Sequence, residues 1–152
     1  TMAQTQSYAN ACDVVLKADN ASGILTDISG SSNTASLSLQ RTLGELVTFE
    51  GEWSIATSCK ISGTISLGAV YSTSLTEARE LLEEWMWRDG NGSPVRTVQI
   101  NIPDDSIGSI AYEGEATIES YELPVDASSA DPIAVTAQLR TSGTWTRSVI
   151  AT

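Results

Sequence analysis

Five carboxylates in one stretch, Asp104, Asp105, Glu113, Glu115 and Glu119, are the residues best placed to do chemistry. A glycosidase sets two carboxylates of unequal pKa across a sugar cleft, one as acid and one as base or nucleophile. Glu113, Glu115 and Glu119 instead stand on the odd positions of one alternating segment. Successive strand side chains point to opposite faces, so this spacing reads first as a solvated face. Asp89-Gly90-Asn91-Gly92 has some calcium-loop character. A full loop of that type needs a bidentate Glu at its twelfth position, and counting from Asp89 that position is Ile100. The run suits a helix end better, with Gly90 as the left-handed cap.

The remaining inventory removes most chemistries. The chain has 152 residues, 19 acids, 8 bases and no histidine, for a net charge of −11. Without histidine the usual general base, the commonest metal ligand and a Ser-His-Asp triad are missing. Cys12 and Cys59 lack CxxC spacing, so no zinc site is expected and free thiols are favoured over a disulfide. No GxGxxG, Walker A, GxSxG or HExxH pattern occurs. The bases are scattered (Lys17, Arg41, Lys60, Arg79, Arg88, Arg96, Arg140, Arg147), which disfavours a phosphate-gripping groove. No catalytic residue, cofactor or metal is expected. No run of about 18 apolar residues reads as a membrane span, and TMAQTQSYANAC shows no signal-peptide pattern.

The elements that must position these residues are strands around one helix. Residues 1–152 read as a single domain. Cys12–Ala18 and Gly23–Ser29 read as short strands, with a turn over residues 30–33. Ala35–Gln40 and Lys60–Ala69 alternate cleanly, with Ala35, Leu37, Leu39, Ile61, Ile65 and Leu67 on apolar faces. Arg41–Ser58 is either a long hairpin arm or an ordered loop, and its apolar Leu46, Phe49 and Trp53 argue against disorder. A helix is predicted over Ser74–Arg88, with a capping box at Ser74 and Glu77 and a stripe of Leu75, Ala78, Leu81, Leu82, Trp85 and Met86. Arg79 with Glu83 and Glu84 with Arg88 can pair one turn apart. Val95–Ile102 and Ser109–Glu122 are strands, the latter with Ile110, Tyr112, Ala116 and Ile118 opposite the acids. Residues 124–132 form a loop, and Ile133–Arg140 with Thr144–Ile150 reads as a closing hairpin over Thr141-Ser142-Gly143.

The segments DISGSSNTASLSLQ, TFEGEWSIATSCKISGTISLGAVYS with LTEARELLEEW, and IPDDSIGSIAYEGEATIESYELPVDASSADPIAVTAQLRTSGTWT follow one another in a particular order. That order resembles the tail tube (major tail) proteins of tailed bacteriophages over almost the whole chain. The resemblance rests on diffuse motifs, the closing segment ending in Ser-Gly-Thr being the most telling.

The resemblance implies an all-β domain with one flanking helix, a β-sandwich or split barrel whose sheets join into a continuous inner barrel in a hexameric ring. Rings would stack into the hollow tube through which the genome leaves a virion assembled in the host cytoplasm. Residues 41–58 become the inter-ring loop, with Leu46, Phe49, Glu50 and Trp53 at the stack, and residues 1–11 a flexible N-terminal arm. Glu113, Glu115 and Glu119 become candidates for lumen-facing acids. The implied partners are further copies of the chain and the tape measure, tail terminator and baseplate proteins. DNA would pass without tight binding, and no membrane is involved. Two other classes stand beside this one: a capsid-decoration or adhesin-like β module, and a carboxylate-dependent glycosidase. A sheath around the tube is the less favoured form of the main reading.

Overall fold

β-Branched and small polar residues alternating over most of the chain demand a sheet, and the computed structural model contains one. It describes residues 9–74, 77–88 and 94–151. A 3-10 turn at Ala11–Asp13 leads into β1 (Val15–Asp19), β2 (Leu25–Asp27), β3 (Ser32–Leu46), β4 (Ile55–Val70), α1 (Ala78–Trp87), β5 (Val95–Ile102), β6 (Ile110–Glu122), β7 (Ala134–Thr141) and β8 (Thr146–Val149). The strands form a single sheet in the order β2-β1-β5-β6-β7-β4-β3, with β8 added beside β6. All pairings are antiparallel.

The sheet is rolled. Leu16 of β1 and Leu37 of β3 stand near opposite ends of the strand order, yet they line the same cavity. Residues 28–32 stitch the two ends: Ile28 N–H donates to the Leu16 carbonyl at 2.9 Å and Val70 N–H to the Ser31 carbonyl at 2.8 Å. Of the sandwich and the split barrel, this is the split barrel. Its core takes the alternating apolar positions of β1, β4, β5 and β7 (Leu16, Ile65, Leu67, Val98, Ile100, Val135, Leu139) and the inner stripe of α1. Each such side chain contributes about 1.5–3 kcal/mol of hydrophobic stabilisation when fully buried.

α1 packs against β4 and β6. Ala78, Leu81, Leu82 and Trp85 are buried on it, as their helical spacing requires. Met86, expected in the stripe, is instead exposed, because only the face centred on Leu82 meets β4 and β6. The helix is shorter than Ser74–Arg88 and has no capping box. Glu77 is the N-cap without a side-chain cap bond. The first-turn N–H of Ala78 is satisfied by the Ser31 hydroxyl at 3.0 Å, a cap supplied from across the fold. At the other end the left-handed cap is Arg88, at φ 57°, its N–H donating to the Glu84 carbonyl. Leu75 and residues 89–92 lie outside the described residues. Arg79 and Glu83 pair at 2.7 Å as expected. Glu84 and Arg88 form no ion pair among the described residues, Arg88 having turned out of the helix.

The closing hairpin does not form. β7 already has a neighbour on each edge, β4 and β6, so β8 has no free edge of β7 to pair with. It pairs with the first half of β6 instead, Ile110↔Val149 to Glu113↔Thr146, while β7 takes the second half. The Ser142–Trp145 turn carries the chain from one half to the other, with Ser142 N–H bonded to the Glu115 carbonyl at 2.9 Å. β6 is also irregular. Between Ile118↔Leu139 and Ser120↔Gln138 it contains one extra residue, Glu119, a β-bulge.

Candidate functional site

Two surfaces carry what function the sequence predicted: the arm and the polar face. β3 and β4 pair from Ser32↔Ala69 to Leu46↔Ile55, with irregularities between Ser32 and Thr34 and between Arg41 and Leu43. The other edge of β4 pairs with β7 only from Thr64 to Val70. Residues 41–58 are therefore a hairpin arm, two strands wide, projecting beyond the barrel with residues 47–54 as its tip. Of the two forms left open by the sequence, the hairpin is the one found. Leu43, Leu46, Val47, Phe49, Trp53 and Ile55 are all more than half exposed, and Phe49 is entirely so. Glu50 is exposed beside them. A two-stranded ribbon is marginal on its own, and an apolar patch of this kind marks a contact surface.

The polar face is the side of the sheet turned away from the core. Thr97 lies opposite Glu115 and Gln99 opposite Glu113. The Thr97 hydroxyl donates to Glu115 Oε1 at 2.7 Å, and the Gln99 amide to Glu113 Oε2 at 3.4 Å. Glu119 is at its bulge, exposed. The face continues across the strands through Arg140 opposite Thr64 and Gln138 opposite Ser66, the latter pair joined by a 3.0 Å hydrogen bond. The structure thus brings Glu113 and Glu115 together with amide and hydroxyl neighbours.

No carboxylate lines the two neighbouring cavities that share Leu37, Leu39 and Tyr112. Among the described residues no three His, Cys, Asp or Glu side chains are grouped to hold a metal ion. Cys12 and Cys59 are exposed free thiols, as expected. Asp104, upstream of these glutamates, accepts from the Ser106 hydroxyl and N–H and from the Ser109 hydroxyl, and these bonds lower its pKa.

Sequence reasoning missed the buried polar residues. Arg96 is almost fully buried on β5 with its guanidinium 5.5 Å from the Trp85 ring centre. Burial lowers its pKa, against the opposing effect of Glu84 and Asp19. The alternation of VRTVQINI places Arg96 in phase with Val98 and Ile100, and that phase was the available signal. Tyr121 was missed too. The Glu119 bulge returns it to the core side, where its hydroxyl donates to Glu83 Oε1 at 2.9 Å and its ring meets Trp87 edge-on at 5.9 Å.

A cavity of about 840 Å³ opens where the barrel is split, lined by Leu16, Leu37, Leu39, Ile100, Ile102 and Tyr112 among others. A second lobe of about 450 Å³ shares Leu37, Leu39 and Tyr112 and adds Trp145 and Arg147.

No protein-family model and no curated protein matches the chain. Solved structures do. The tail of an empty gene transfer agent particle with C6 symmetry is 19% identical, with a TM-score of 0.70, over 95% of this chain and 100% of that one. The SPP1 tail tube is 11% identical, with a TM-score of 0.73, over 94% of this chain and 80% of that one. The sheath–tube complex of an extracellular contractile injection system is 15% identical, with a TM-score of 0.72, over 95% of this chain and 94% of that one. The rolled sheet with its single helix is the tail-tube fold.

Proposed function

We propose that this chain is a structural virion protein, the subunit of a tail tube. Six copies form a ring, rings stack, and the genome passes through the channel during ejection. The observation that carries the reading is the likeness to tube subunits over nearly the whole chain, together with an apolar arm that leaves its own barrel with nothing among the described residues to cover it. Among the described residues β3 at one end of the strand order and β2 at the other keep unpaired edges, and joining them between neighbours removes edges that a lone molecule exposes.

In this reading the arm, through Leu46, Phe49, Glu50 and Trp53, reaches the next ring. The polar face with Glu113, Glu115 and Glu119 lines the channel. A wall of acids and hydroxyls repels phosphates, and the net charge of −11 adds to that repulsion. The chain then has no catalytic task, and its partners are its own copies and the terminator, baseplate and tape measure proteins of a tail. A tube inside a contractile sheath is the second reading, favoured by the equal likeness to a sheath–tube complex.

Sedimentation across a wide concentration range tests the proposal. A shift from subunit to rings and larger stacks is expected. A single monomeric species at every concentration would overturn it and favour a decoration or adhesin-like module.

A further inference from the structure

We propose that the split-barrel cavity is the receptor for the arm tip of a second copy of this chain. The inference rests on the tube reading and adds to it the site that the arm occupies. The arm offers Phe49 and Trp53, 112% and 86% exposed. The cavity offers an apolar wall of Leu16, Leu37, Ile100 and Tyr112, open to solvent and large enough for ligand-sized groups. No segment among the described residues fills it.

Charge selects the arm over other apolar occupants. The tip, residues 47–54, contains Glu50 and Glu52 and no base. The second lobe of the cavity ends at Arg147, which is exposed and makes no ion pair among the described residues. An acidic tip with two aromatic anchors thus meets an apolar cleft with a cation at its end. Aromatic anchors in a pocket are what dominate interface energies. The contact is heterologous, since arm and cavity are different surfaces of one chain. A heterologous contact that does not close on itself propagates along an axis, as a stack requires.

The same asymmetry supplies the test. Two variants are made: Leu39→Glu, which blocks the cavity at a half-exposed position, and Phe49→Ser with Trp53→Ser, which blunts the arm. Circular dichroism checks that each is folded. Each variant alone is expected to form single rings and no tubes. Mixed together, the intact arms of the first fit the intact cavities of the second, so electron micrographs should show paired rings and nothing longer. Tubes from Leu39→Glu alone, or no pairing in the mixture, would overturn the inference.

A crosslink reads the contact directly. Cys12 lies in the cavity wall and is exposed. Ser54→Cys in a Cys59→Ser background puts the only other thiol at the arm tip. Oxidation should yield intermolecular disulfides between Cys12 of one copy and the thiol introduced at position 54 of another, identified by peptide mass spectrometry. Links only between two tips would contradict the proposal. So would Cys12 shielded from alkylation in monomers until residues 1–8 are deleted, since the chain's own N-terminal segment would then be the occupant. If wild-type protein forms no rings at all, the tube reading fails, while the disulfide between Cys12 and the arm tip still decides whether arm and cavity meet.

Discussion

Trp145 lies directly over Gly114, and its indole N–H donates to the Glu115 carbonyl at 2.9 Å. A Cβ on residue 114 would stand far closer to the indole ring than van der Waals contact allows. The two residues fit because glycine leaves the space that the tryptophan fills. Gly114→Ala is expected to cost about 1–3 kcal/mol as the ring is displaced. Chemical denaturation checks it, and an unchanged midpoint would show that Trp145 moves aside freely.

Leu82 is wholly buried at the centre of the α1 stripe. Leu82→Asp puts a carboxylate into this apolar packing, a loss of several kcal/mol. Thermal melting is the measurement. A wild-type melting temperature would mean that the stripe does not hold the helix to the sheet.

Tyr121 gives the stability an alkaline limit. Burial first, then its bond to Glu83, raise its pKa well above the ordinary phenol value. A raised folded pKa means that the contribution is complete below the unfolded value of about 10. It is lost as pH climbs from there toward the folded value. Stability of the wild type should therefore fall with pH above about 10 more steeply than that of Tyr121→Phe. Parallel pH profiles for the two proteins would refute the assignment.

The acidic face is tested by charge reversal. Glu113→Lys, Glu115→Lys and Glu119→Lys together change the net charge from −11 to −5 by adding two units at each of three positions. Rings are expected to assemble and then to bind duplex DNA in a salt-sensitive way, with weak or undetectable binding expected for the wild type. Gel shift across a salt series reads this. Equal, weak binding by both would place these acids away from the channel.

The alternation that exposes a sheet also exposes its core. Ile65 and Leu67, and Ala116 with Ile118, point inward as their period-2 spacing requires. The helix is equally legible from Ala78, Leu81, Leu82 and Trp85. What the sequence hides is whatever depends on contacts far apart in the chain. Ser31 caps a helix 47 residues later, and no local pattern announces that. Hairpins are the default between adjacent strands, so sequence alone pairs β8 with β7, yet β4 already takes the free edge of β7. Bulges are likewise silent in sequence, so the phase change at Glu119 that turns Tyr121 inward is not readable. The arm is half legible: Phe49 and Trp53 mark it as ordered, but its strand pairing comes only from the register of Leu46 with Ile55.

Electron microscopy of the purified protein at high concentration tests the central claim most directly. The account predicts rings of six subunits with an open channel, stacked into tubes of uniform width. Dispersed monomers at every concentration, or closed assemblies without a channel, would contradict it.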